Sequence, residues 1–295
     1  MAIRSVAVIG SGQMGSGIAQ VCASKGLDVV LIKATAGDHA AAKNSIAKGL
    51  DKLVAKEKMT AADRDAVLAR IKTSAALEDA RDCDLVVESI VEELQKKGEL
   101  FAKLDKICKP ETVLATNTST LCVTELAGFV ARKDKVVGLH FFNPAVVMKL
   151  VEVIPTIHSQ SALIEELKAL CTSLGKAPVI VGDKTGFIVN RLLTPYMVDA
   201  IRVFQEGLAS IQDIDAAMKN GCGHPMGPIE LADYIGLDIV DHMATNLYED
   251  YKEPRLAPPP ILRRLVMAGQ LGRKSGKGFY DYSAGQNPRN ELAGR

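Results

Sequence analysis

Over the first 182 residues the hydrophobic positions come in short, nearly unbroken runs, separated by longer stretches of helical period. Residues 3–9 (IRSVAVI), 28–32, 84–87, 112–115, 136–141, 150–154 and 177–181 are rich in Val and Ile and bounded by Gly, Pro, Asp or Asn, a pattern that predicts strands. Runs without polar alternation suit strands covered on both faces. Residues 13–25, 93–107 and 160–174 read as helices, with Leu94, Phe101, Leu104 and Ile107 on one side of the second. Strand and helix alternating in this way predict an α/β domain with a doubly wound, mostly parallel sheet.

Residues 38–70 carry no strand signal. Ile46, Leu50, Leu53 and Val54 form one helical stripe and a second helical pattern follows Thr60, so a helical hairpin inserted in the sheet domain is expected. Its outer side carries Lys48, Lys52 and Lys56 at spacing four. After Gly182 the pattern changes: residues 186–204, 210–219, 228–247 and 260–270 are helical, with no strand alternation before Phe279. Ser210 followed by Asp213 is a capping-box-like start. The expected division is therefore a sheet domain over 1–182 and an all-α domain over 183–295, with a polar tail after Ser283.

Composition narrows the partners. The chain has 295 residues, 36 Lys plus Arg against 35 Asp plus Glu, and 47% hydrophobic residues. Such a chain folds, and its length suggests two domains. A net charge of +1 without a single-sign block gives no reason to expect nucleic acid or an anionic membrane as partner. No apolar run approaches the roughly 20 residues that span a bilayer. The six cysteines are scattered and form no C-x-x-C pair, which predicts free thiols in a reducing compartment and no metal site. The strand pattern begins at Ile3, so no leader is expected, and the expected location is the cytoplasm.

Candidate chemistry starts with Gly10-Ser-Gly-Gln-Met-Gly15, directly after the first strand and opening the first helix. In that context a G-x-G-x-x-G motif is a dinucleotide cradle of the Rossmann type. Gly10 permits the turn, Gly12 lets the backbone approach a pyrophosphate, and Gly15 lets helix and strand pack closely. Gly10, Gly12, Gln13, Met14 and Gly15 are the candidate cofactor contacts. The second strand ends Ile32-Lys33-Ala34-Thr35, and no carboxylate occurs until Asp38. An acid there would repel a 2′-phosphate, whereas Lys33 and Thr35 attract one. The reading tilts toward NADP(H), with NAD(H) the alternative.

His140-Phe-Phe-Asn-Pro144 ends one strand and Glu152 lies inside the next. A short reversal between them can set imidazole and carboxylate side by side, a His–acid pair fit to take the proton that leaves a hydroxyl as it is oxidised. Thr116-Asn-Thr-Ser119-Thr120 follows a strand at the carboxyl edge where such folds bind ligands, though taken alone such a segment is more often a turn or helix cap. Asn190, early in the second domain, is likewise ambiguous.

Taken together, GSGQMGSGIA, VVESIVEELQKK, ATNTST, GLHFFNPAVVMKLVEVI, GFIVNRLL, GCGHPMGPIELADYIGLD and GRKSGKGFYDY resemble the 3-hydroxyacyl-CoA dehydrogenase family, in particular its bacterial 3-hydroxybutyryl-CoA type, from residue 3 to about 282. The resemblance implies that His140 is the general acid/base and Glu152 its partner, and that Ser119 and Asn190 hydrogen-bond the substrate oxygen and the His. It further implies that Asn143 helps hold the acyl or nicotinamide end and that Glu92, Lys97 and Asn117 belong to the cofactor site. Coenzyme A is expected on the hairpin at Lys52 and Lys56, although a lysine stripe is more often a solvated face. The helical domain resembles the family's dimerisation domain, which implies a homodimer. Lys33 stands where most of the family has a ribose-binding Asp, and Thr116 and Thr120 replace the usual serines. The expected reaction is reversible hydride transfer between NAD(P)(H) and a short 3-hydroxyacyl-CoA. The alternatives are a lysine-dependent β-hydroxyacid dehydrogenase and a non-catalytic cofactor-binding relative.

Overall fold

A computed structural model of the chain describes residues 3–33, 37–283 and 285–293. The first apolar run forms β1 (Ser5–Ile9), buried from Val6 onward, and leads through Gly10 into α1 (Gln13–Ser24). β2 (Asp28–Ile32) is followed by the hairpin α2 (Ala41–Ala55) and α3 (Ala61–Ala69). Ile46 and Leu50 bury the inner stripe of α2, while Lys48, Lys52 and Lys56 are exposed. Thr60 caps α3 by accepting from the Asp63 N–H at 3.0 Å.

The chain continues through β3 (Ile71–Ser74), β4 (Leu85–Glu88), α4 (Leu94–Ile107), β5 (Val113–Thr116) and α5 (Val123–Ala127). β6 (Val136–Phe141), β7 (Leu150–Pro155), α6 (Ser161–Ser173) and β8 (Ala177–Ile180) complete the first unit. The strands form one sheet in the order β3-β2-β1-β4-β5-β6-β7-β8, parallel except for the antiparallel pair β6 and β7. Strand order reverses between β1 and β4, the switch point beside which open α/β sheets bind ligands at their carboxyl edge.

β3 departs from the sequence reading. Its four residues, IKTS, bury only Ile71, so there is no apolar run to recognise, and pairing to β2 makes it a strand. β8 is the opposite edge, and Pro178 sits there because an edge strand tolerates a missing N–H.

The division into compact units falls at Met1–Lys184 and Thr185–Arg295. The second unit holds α7 (Val189–Gln205), α8 (Ile211–Cys222), α9 (Pro228–Ile235), α10 (Leu237–Tyr251) and α11 (Pro260–Met267). Ser210 caps α8 by accepting from the Asp213 N–H. The single helix expected over 228–247 is two, because Gly236 at φ +111° turns the chain between α9 and α10. A small antiparallel ribbon, β9 (Tyr280–Asp281) with β10 (Asn287–Pro288), also modifies the all-α expectation. It lies beside buried Asp233, whose carboxylate accepts from the Phe279 and Tyr280 N–H groups and the Tyr282 hydroxyl.

Candidate active site

At the carboxyl end of β1 the three motif glycines meet three different surroundings. A Cβ on Gly10 would lie 2.2 Å from the Ser89 carbonyl oxygen, and one on Gly15 would lie 1.8 Å from the Gly10 oxygen, so backbone occupies both positions. A Cβ on Gly12 would meet nothing within 4 Å among the described residues. Gly12 is the N-cap of α1 and supplies no side-chain cap, which leaves the first-turn N–H groups to an anion. This is the fit a dinucleotide pyrophosphate requires: open space over bare, positively polarised backbone. Gln13 is exposed there, while Met14 packs against the core. A cleft of about 520 Å³ adjoins the cradle, lined among others by Gly12, Gln13, Ser45, Ile46, Asn143 and Pro144.

Lys33 follows β2, donates its backbone N–H to the Ser74 oxygen and forms no ion pair among the described residues. Its ammonium reaches Gly37, where a Cβ would come within 2.8 Å of Nζ. Thr35 lies outside the described residues. Asp38, the first carboxylate after the strand, accepts from the Ala40 N–H at 2.8 Å.

The β6–β7 register sets His140 directly opposite Glu152. Cross-strand partners share a face of the sheet, and here His140 Nδ1 lies 2.7 Å from Glu152 Oε2, with the residues 5% and 1% exposed. A carboxylate so deeply buried is tolerated because it has a charge-assisted partner. The Phe142 ring lies 4.5 Å from the imidazole between centroids. Next to the His, the Phe141 N–H donates to Asn117 Oδ1 at 2.8 Å, so Asn117 ties the ends of β5 and β6 together. Asn143 is exposed on the loop that follows. That loop is held from below by Lys176, whose Nζ donates to the Ala145 and Met148 oxygens.

Ser119 is half-buried on the turn after β5, and Glu92 organises that turn. Glu92 Oε1 accepts from the Thr118 hydroxyl at 2.6 Å, the Ser119 N–H at 2.8 Å and the Thr120 N–H at 3.1 Å. Burial disfavours its charge, but Lys97 and these hydrogen bonds outweigh that and hold the carboxyl below its usual range. Lys97, expected at the cofactor site, is 1% exposed, with Nζ 2.7 Å from Glu88 and 3.3 Å from Glu92. Glu88 is absent from the sequence reading. The signal was the ESIVE pattern, in which an acid closing an apolar strand precedes Glu92 by four residues. Asn190 lies in the first turn of α7 and is 9% exposed.

A dinucleotide cradle at the switch point of a doubly wound sheet, with a buried His–carboxylate pair at the same carboxyl edge, defines a nicotinamide-dependent type of oxidoreductase. Residues 5–184 match the family described as 3-hydroxyacyl-CoA dehydrogenase, NAD binding domain, and residues 186–282 match 3-hydroxyacyl-CoA dehydrogenase, C-terminal domain. The 3-hydroxybutyryl-CoA dehydrogenase of Mycobacterium tuberculosis is 42% identical over 95% of this chain and 99% of its own length. The human mitochondrial hydroxyacyl-coenzyme A dehydrogenase is 46% identical over 95% and 91%. The crystal structure of (S)-3-hydroxybutyryl-CoA dehydrogenase from Ralstonia eutropha superposes with a TM-score of 0.92 at 41% identity, covering 96% of this chain and 100% of that one. The chain belongs to the 3-hydroxyacyl-CoA dehydrogenase family. It is an enzyme with an NAD-binding domain. No helix among the described residues is long and apolar enough to cross a membrane.

Proposed function

We propose that the chain interconverts a short 3-ketoacyl-CoA and the corresponding 3-hydroxyacyl-CoA, with 3-hydroxybutyryl-CoA, the substrate in the names of its relatives, as the alcohol and acetoacetyl-CoA as the ketone that its oxidation gives. The observation that carries this reading is the 2.7 Å contact between His140 Nδ1 and Glu152 Oε2 across paired strands. When bound, the nicotinamide supplies or accepts the hydride at C3. Glu152 accepts the Nδ1 hydrogen, fixes the tautomer and stabilises the imidazolium, so His140 exchanges the substrate's proton through Nε2. Ser119, on a turn pinned by Glu92, hydrogen-bonds the substrate oxygen. Gly12, Gln13 and the first-turn N–H groups of α1 hold the pyrophosphate, and Asn143 borders the same cleft. Lys52 and Lys56 offer cations to coenzyme A phosphates. Asn190 enters this reading through the family resemblance alone.

The cofactor is NADP(H) in this reading. Lys33 supports it, as an intrastrand-end cation without an acidic partner among the described residues, at the place where an acid would repel a 2′-phosphate. A homodimer through the helical unit is supported by a cleft of about 750 Å³ in that unit, beside which Leu192 and Leu208 are 70% and 77% exposed. Sedimentation as a monomer at micromolar concentration would contradict that part. Six unpaired thiols support a reducing, cytoplasmic setting.

The test follows reduced-nicotinamide absorbance with acetoacetyl-CoA, NADPH and NADH being run in parallel. Turnover with either supports the reaction, and turnover with neither overturns it. A kcat/KM for NADPH above that for NADH, falling about tenfold relative to NADH in Lys33→Asp, supports the NADP assignment. A ratio well below one in the native chain refutes that assignment alone.

A further inference from the structure

Behind the Ser119 turn lies a charged network of which the reaction scheme uses only Glu92. Glu88, at the end of β4, is 0% exposed, and Lys97, one side of α4, is 1% exposed. Glu88 Oε1 accepts from Lys97 Nζ at 2.7 Å and from the Ile90 N–H at 2.6 Å, and Glu88 Oε2 accepts from the Thr116 hydroxyl at 2.7 Å. The Glu88 backbone oxygen accepts from the Asn117 N–H at 2.8 Å. Lys97 then passes to Glu92 at 3.3 Å, and Glu92 gathers the Thr118, Ser119 and Thr120 donors. One ammonium thus joins two carboxylates. One of them grips the base of the turn at Thr116, and the other grips its tip at Ser119.

We infer that Glu88 is a positioning residue, which holds Lys97 so that Glu92 fixes the backbone of the Ser119 turn. Two facts favour this over a merely structural ion pair. Burying a carboxylate and an ammonium is costly, and hydrophobic residues of the same volume would pack as well, so the pair is weak as a stability device. The geometry, moreover, is directional: every donor left to Glu92 Oε1 belongs to the turn that carries Ser119. In Glu88→Gln the acceptor opposite Lys97 loses its charge and one of its oxygens becomes an amide donor. The ammonium is then drawn toward Glu92 Oε2, which turns the carboxylate and pulls Oε1 off its four turn donors.

The inference rests on the proposed role of Ser119, so its test has one arm that needs no activity. Amide hydrogen exchange of the protein without ligands should show faster exchange at Ser119 and Thr120 in Glu88→Gln, with β1 protection unchanged. Unchanged exchange at those two amides, or equal acceleration in β1, overturns the proposal whatever the reaction is. In the assay, kcat should fall by about ten- to a hundredfold, a displacement effect at a site remote from the chemistry. In a Ser119→Ala background the same substitution should change kcat less than twofold, because it acts through Ser119. Equal fold losses in both backgrounds overturn it. Thr116→Val removes the donor to Glu88 Oε2 and also the acceptor of the Thr118 N–H, so faster exchange at Thr118 is expected as well, with Ser119 and Thr120 accelerated more weakly than in Glu88→Gln. Exchange at Ser119 and Thr120 equal to the native protein's counts against the proposal.

Discussion

A side chain's value at this site depends on what stands one bond beyond it. His140 is defined by the Glu152 oxygen at 2.7 Å, Ser119 by the Glu92 carboxylate behind its N–H, and Gly12 by the open space that a Cβ placed there would have among the described residues. The glycines separate binding from folding. Gly15→Ala would press its methyl onto the Gly10 oxygen and should destabilise the protein by a few kcal/mol, since the helix must move off the strand. Gly12→Ala adds a Cβ with open space around it among the described residues, so the melting temperature should stay within a few degrees while cofactor KM rises tenfold or more. Thermal denaturation and cofactor titration on the two variants check this, and a Gly12→Ala protein with native KM would contradict the cradle. The motif was legible in the sequence because glycine is chosen for what it lacks. Glu88 was not, because an acid at a strand end usually reads as a boundary, and only the pairing of β4 with β5 brings Thr116 to it.

At the scale of elements, the site depends on strand ends being held at fixed depth. Asp84, just before β4, accepts from the Arg4 and Ser5 N–H groups at the start of β1 and from Lys109 beyond α4. Burial works against its charge, but these donors together hold its pKa down at about 2. A carboxyl lowered on folding stabilises the protein above its unfolded value near 4, and that stabilisation is lost as pH falls through about 2. Asp84→Asn should therefore lower the denaturant midpoint at pH 7, with the difference from the native chain shrinking as pH falls from 4 to 2. Urea titrations at those pH values test it, and a difference independent of pH would contradict the assignment. Most elements were readable from hydrophobic period alone. β3 escaped because an edge strand with one buried residue leaves no period, and the break between α9 and α10 was hidden inside an apolar pattern that continues through Gly236. The register of β6 on β7 could be guessed only as a short reversal. That His140 and Glu152 stand opposite each other and not one residue apart is a property of the folded pair.

On the scale of the molecule, the chain divides its work between two compact units, and the first contains the cradle, the His–Glu pair and the Ser119 turn together. The second is built around its own apolar core and the buried Asp215 and Asp233, which fold the motif near 272–282 back onto α9. The fold class was legible because strands and helices alternate around the glycine motif, and the reaction type because HFFNP, GFIVNR and the other blocks resemble the 3-hydroxyacyl-CoA dehydrogenase family. Cofactor choice stayed open because it turns on Lys33 and on a segment including Thr35 that lies outside the described residues. The account stands on His140 as the proton carrier. His140→Gln removes that carrier and leaves the cradle untouched, so kcat with acetoacetyl-CoA should fall by about 10² to 10⁴ while cofactor affinity, measured by fluorescence titration, changes less than threefold. Turnover within a few fold of the native enzyme would contradict the account.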